Sequence, residues 1–215
     1  MRTSQERIPL AASLALVAAL SVLAYERQLT PRQIREAYFA GKDSSPRSAE
    51  LFKDYVRTFP VPEKGMHIKR ITLITPFKAV ADRARTQADY NPVQAEADYK
   101  QQGPPLTVEV TVWLTPTAPA HTPYTFVGVG PVLFRDPDFW KQLEVQLVQG
   151  GEVEPLSRRG QPIYNCPEGG LCWLQGAVVT LTYDPDKVAS RTVRLRVRPP
   201  EGSAVEAEFD LSRLR

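Results

Sequence analysis

From Leu106 to Leu114 the chain alternates, with Leu106, Val108, Val110, Val112 and Leu114 set against Thr107, Glu109, Thr111 and Trp113. Successive side chains of a strand point to opposite faces, so a period of two predicts a half-buried strand. The same reading gives strands at 67–75, 124–134, 143–149, 152–157, 174–183, 191–198 and 203–211. Turn residues separate them, as at Gly150-Gly151 and Pro199-Pro200-Glu201-Gly202. About seven to eight short strands at this spacing predict an antiparallel, immunoglobulin-like β-sandwich.

The last two strands predict their own pairing. Val193, Leu195 and Val197 share a face with Val205, Ala207 and Phe209, which leaves Arg194, Arg196 and Arg198 opposite Glu206 and Glu208. Directly opposed residues must share a face, so the arginine row meets the glutamate row.

Before Leu106 the period is helical. A short polar residue precedes proline at Thr30-Pro31, Ser45-Pro46, Thr75-Pro76, Asn91-Pro92, Asp136-Pro137 and Asp184-Pro185. Such a side chain accepts from the orphan amides of a first helical turn, and the proline has no amide to leave unpaired. Each pair therefore reads as a helix start. The first two helices are expected at 31–40 and 46–58, the second with Leu51, Phe52, Tyr55 and Val56 on one face. Residues 76–102 read as a helical hairpin inserted between strands, with Phe77, Val80, Ala81 and Ala84 as its first stripe. The expected fold class is α+β, mainly β. It comprises a leader at 1–24, a helical arm at 25–62 and a sandwich domain at 63–215.

The leader carries the clearest address. Arg2 and Arg7 precede an uncharged apolar run from Ile8 to Tyr25, and Val22-Leu23-Ala24 offers small or modest side chains before a cleavage after Ala24. Basic, apolar and small-residue segments in that order make a signal peptide; retained, the run would be a signal anchor touching the membrane through residues 8–25. Either way the basic flank stays inside and Tyr25 onward is exported, to a periplasmic or other extracytoplasmic space. Cys166 and Cys172 agree with an oxidising compartment, where two cysteines so close together close a short disulfide loop.

Composition narrows the classes. With 42% hydrophobic and 24% charged residues the chain is an ordinary globular protein, and its 20 prolines favour turns over long helices. A net charge of +3 is too small for a nucleic-acid surface. No nucleophile elbow, His-Glu-x-x-His, phosphate loop or dinucleotide fingerprint occurs, so no cofactor or metal is expected and the chain reads as non-enzymatic.

The candidate interaction residues are of two kinds. Tyr164, Leu171 and Trp173 surround the expected staple, in a loop expected from Gly160 to Gly176, and pinned aromatic side chains lose little entropy on binding. Arg194, Arg196 and Arg198 form the basic row, which either holds an acidic headgroup or glycan or is neutralised by its glutamates. Asp136-Pro137-Asp138 and Asp184-Pro185-Asp186 resemble calcium-binding carboxylate pairs but read better as helix caps. These features point to an exported interaction or structural module of the cell envelope with a protein partner. A carbohydrate- or small-ligand-binding sandwich using Trp113, Trp140 or Trp173 is the alternative. A hydrolase would need His67 or His121 joined to an acid and a hydroxyl.

Overall fold

Four of the six cap-proline pairs start α-helices in the computed structural model of the protein, which describes residues 27–215 apart from 64, 116–121, 126–130, 135, 167, 169–171 and 189–190. The strands at 122–125 and 131–134 are described by their backbone alone, and the expected leader at 1–24 lies outside the described residues. The helices are α1 (Pro31–Lys42), α2 (Pro46–Lys53), α3 (Pro76–Thr86) and α4 (Pro92–Gln102). Thr30, Ser45, Thr75 and Asn91 accept from first-turn amides, and Gln33 and Gln94 return the bond to complete two capping boxes. Asp184 caps only a 3-10 turn at Pro185–Lys187. Asp136 caps no helix. Its Oδ1 accepts from the Asp138 amide at 2.8 Å, closing a local turn before a 3-10 turn at Phe139–Gln142.

The strands in chain order are β1 (Val56–Thr58), β2 (Met66–Ile74), β3 (Leu106–Leu114), β4 (Thr122–Thr125), β5 (Pro131–Phe134), β6 (Glu144–Val148), β7 (Glu152–Val153), β8 (Ser157–Asn165), β9 (Trp173–Tyr183), β10 (Thr192–Arg198) and β11 (Val205–Asp210). The strand expected at 152–157 shortens to the two residues of β7, ending before Glu154 and Pro155, and three larger differences from the sequence reading follow. The second helix stops at Lys53 rather than Thr58, because Val56 and Thr58, both β-branched, pair with Thr72 and Arg70 at the edge of a sheet. The expected strand at 124–134 is a hairpin of β4 and β5. The expected loop from Gly160 is strand as far as Asn165, so only 166–172 connects β8 to β9. Gly160 and Pro162 argue against a central strand, but β8 is an edge strand, where proline is tolerated.

The described residues form a mixed α+β protein with two larger antiparallel sheets and four α-helices. One sheet runs β1-β2-β3-β9-β8 and the other β11-β10-β6-β7. Cross-strand rows of the larger sheet, such as Ile71, Val110 and Val179 or Leu73, Val108 and Leu181, are fully or almost fully buried. They share one core with Leu147, Val193, Leu195, Val197, Ala207 and Phe209 of the smaller sheet. The Arg57 guanidinium crosses between the sheets to lie 4.8 Å from the centre of the Phe209 ring.

The helices gather at one end of the strands. α3 follows β2, α4 precedes β3, and Leu106 pairs with Tyr183 at the end of β9. α1 packs on α3 so closely that a Cβ on Gly41 would sit 2.1 Å from the Ala81 carbonyl oxygen. Tyr55 ties this layer down. Its hydroxyl donates to the Arg215 carbonyl at 3.1 Å and accepts from the Arg215 amide at 2.9 Å, while Thr75 Oγ1 donates to the same carbonyl. Burial, only partly offset by that bond to the Arg215 backbone, pushes the Tyr55 phenol up. Cys166 and Cys172 lie at the opposite end of the sheet.

Candidate functional site

β8 and β9 reach the far end of the sheet as a pair, Tyr164 opposite Leu174 and Asn165 opposite Trp173. Just before this end Ile163 faces Gly176, so Gln175 is an extra residue that bulges β9. Immediately beyond, Cys166 and Cys172 are joined, their Cα atoms 4.2 Å apart. The staple thus closes the connection between two adjacent strands. Leu174 is buried on the inner face, while Tyr164 and Trp173 are each 51% exposed. Of the expected aromatic site, two members therefore lie at the stapled end, on opposite faces of the sheet, Tyr164 sharing the face of Leu174 and Trp173 that of Asn165. Leu171 lies outside the described residues.

The outer face of the larger sheet continues from this point. The register places Trp113 opposite Gly176 on β9 and opposite His67 on β2. Trp113 is half-buried, its Cδ1 atom occupying the space beside Gly176, and the Lys69 ammonium sits 3.1 Å from its ring centre. Counting through the bulge, Trp173 falls on this same face. Trp140 does not. It lies between the sheets, its indole 2.1 Å from where a Cβ of Gly160 would be.

His67 is 7% exposed, and neither ring nitrogen is hydrogen-bonded to an acid or a hydroxyl. Burial holds its imidazole below the ordinary value, with the Lys69 charge acting the same way. His121 lies outside the described residues. Among those described, no group of three or more His, Cys, Asp or Glu side chains could hold a metal ion.

The arginine row meets the glutamates as the alternation predicts. Arg194 pairs with Glu208 at 3.6 Å and Arg196 with Glu206 at 3.8 Å, while Arg198 turns to Glu144 of β6 at 3.9 Å. All six side chains are largely exposed, so each pair contributes about 0–1 kcal/mol. What the pairs do is cancel the charge of the row.

A polar cluster between the sheets escaped the sequence reading. One Arg158 Nη2 donates to the carbonyls of Trp140 at 2.8 Å and Leu143 at 2.7 Å, fixing the 3-10 turn against β8. The Arg158 Nε, the Trp140 Nε1 and the Tyr183 hydroxyl nearby are buried without hydrogen-bond partners. Desolvation lowers the Arg158 pKa and raises that of Tyr183. Nothing local in Ser157-Arg158-Arg159-Gly160 signals this role, since it depends on a turn 18 residues away. A cleft between α3 and α4 is lined by Val80, Arg83, Tyr90, Ala95, Asp98 and Tyr99, and its charges are spent on each other, Arg83 donating to Asp98 at 2.7 Å.

Comparison with protein-family models, with curated proteins and with solved structures gives no match.

Proposed function

We propose that the protein is a non-enzymatic binding module of the cell envelope, working outside the cytoplasm on an immunoglobulin-like scaffold and gripping a partner protein at its stapled end. The observation that carries this reading is the exposure of both Tyr164 and Trp173, one on each face of the sheet tip beside the Cys166–Cys172 bridge. An aromatic anchor on a cross-linked support loses little freedom when it is covered, and such side chains are enriched where partners bind. The disulfide is compatible with an oxidising, extracytoplasmic compartment. The basic row contributes less, because Glu144, Glu206 and Glu208 already neutralise it.

The test is cross-linking in the native envelope followed by mass spectrometry, on the parent and on Tyr164→Ala with Trp173→Ala. A stoichiometric partner captured by the parent and lost by the double variant supports the reading. Equal capture by both, or no partner at all, defeats it.

A carbohydrate ligand is the second reading, favoured by Trp113 and Trp173 on one sheet face with Asn165, Gln161 and Thr111, the Lys69 ammonium lying over the Trp113 ring. Sugar rings stack on aromatic faces, so Trp113→Ala should weaken oligosaccharide binding while leaving a protein partner at the sheet tip in place.

A further inference from the structure

Strict alternation after the buried Ile68 would send Lys69 outward and Arg70 into the core. Instead the register of β2 against β3 slips by one residue between Ile68 and Arg70, so Arg70 faces Thr111 on the outer face of the larger sheet. Lys69 lies on that face too, its ammonium over the Trp113 ring. One extra residue thus puts two successive cations on one side. Arg159 of β8 joins them, because it pairs with Thr180, which in turn pairs with the outward Glu109 of β3. Three strand spacings, about 14 Å, separate β2 from β8. Among the described residues, none of Lys69, Arg70 and Arg159 forms an ion pair, whereas the arginine row of the smaller sheet is matched base for acid.

The acids of this face answer the three cations only in part. Glu109 stands among them, half-buried and without an ion pair. Burial and the charge of Asp82 push its carboxyl up, against the opposing pull of Lys78 and Arg70. Asp82 itself is held by the Lys78 ammonium at 2.8 and 2.7 Å. Glu63 and Glu168 lie in connections, off the strands. The remaining outward side chains include the neutral hydrogen-bonding groups of Thr180, Gln161 and Asn165, and Trp173 stands exposed at the tip.

We propose that the outer face of the larger sheet binds an acidic polysaccharide, with Lys69, Arg70 and Arg159 taking its carboxylates and Trp173 stacking on a sugar ring. A guanidinium matches a carboxylate with two parallel N–H groups, and these two guanidiniums have no acid of their own to satisfy. Their separation across the sheet suits a linear chain that carries charge at intervals rather than one small anion. The Lys69 ammonium covers the Trp113 ring, so Trp113 holds a cation in place and Trp173 is left as the free stacking surface. A single-stranded nucleic acid would want several stacking platforms and a denser track of cations. This inference rests on the carbohydrate reading above and names the charge of the ligand.

The test is calorimetric titration of the full chain with oligogalacturonate, its methyl ester, a hyaluronate oligosaccharide and oligothymidylate. Binding of an acidic sugar supports the proposal if it weakens at least about tenfold in Arg70→Gln with Arg159→Gln, the loss expected when charged hydrogen bonds go. The methyl ester, which keeps the sugar and removes the charge, should bind the parent more weakly by a similar factor. Both arginines are exposed, so the variant should keep the parent's thermal midpoint. Arg70→Lys with Arg159→Lys should recover part of the affinity, and Arg194→Gln with Arg196→Gln should change nothing. Equal affinity for ester and acid overturns the acidic class and leaves the carbohydrate reading standing, whereas no binding to any of the sugars defeats both. Oligothymidylate bound as tightly as the acidic sugars, or a glutamine variant that binds like the parent, overturns the site.

Discussion

The indole of Trp140 lies where a side chain on Gly160 would be, and an added Cβ would meet it at 2.1 Å. The ring cannot withdraw cheaply, because the carbonyls of Trp140 and Leu143 are both held by Arg158. Gly160→Ala should therefore cost about 1–3 kcal/mol, as overpacking of a close-packed interior does, seen as a lower denaturant midpoint and a changed near-ultraviolet signal from Trp140. His67 makes a second prediction. Its imidazole is held below the ordinary 6.5 in the fold, so as pH falls through that value the unfolded chain takes up a proton that the folded one refuses. Stability should drop across that window, and His67→Phe should flatten the drop in urea titrations run at successive pH values. Neither site was legible in the sequence. Both depend on which distant residue arrives opposite a given position. The facing of Arg194 with Glu208 and of Arg196 with Glu206 was legible, because a period of two and one short turn settle it locally.

At the scale of elements the staple is the clearest device. It closes a short connection between β8 and β9, six positions from one cysteine to the other, and leaves the rest of the sheet untouched. Replacing both cysteines by serine should lower stability by about 2–3 kcal/mol through the freedom regained by the unfolded loop. Reduction of the parent should reproduce that loss in a denaturant titration, and reduction of the variant should change nothing. The elements themselves were partly readable. Thr30, Ser45, Thr75 and Asn91 marked four true helix starts because a cap bonds only to its own first turn. The end of α2 was misjudged because Tyr55 and Val56 continue its apolar stripe. A strand partner ten or more residues away, Thr72, decided the matter. β8 was missed for a related reason, since glycine and proline within it mark an edge, and an edge shows only once its sheet is assembled.

Across the whole molecule one core joins Ile34, Phe52 and Phe77 of the helical layer to Val110, Leu181 and Phe209 of the sheets. With no seam between them, helix content and tryptophan emission should be lost in a single coincident transition on urea unfolding. Two separated midpoints would show that the helical layer melts by itself. The bond of Tyr55 to Arg215, 160 positions apart, has a further consequence. A polypeptide threaded through a pore amino end first cannot close that latch, or lay β10 and β11 over β2, until its last strands have come through. In a chain delivered that way the valine and leucine rows would stay uncovered, and open to proteases, until the carboxyl-terminal hairpin arrived.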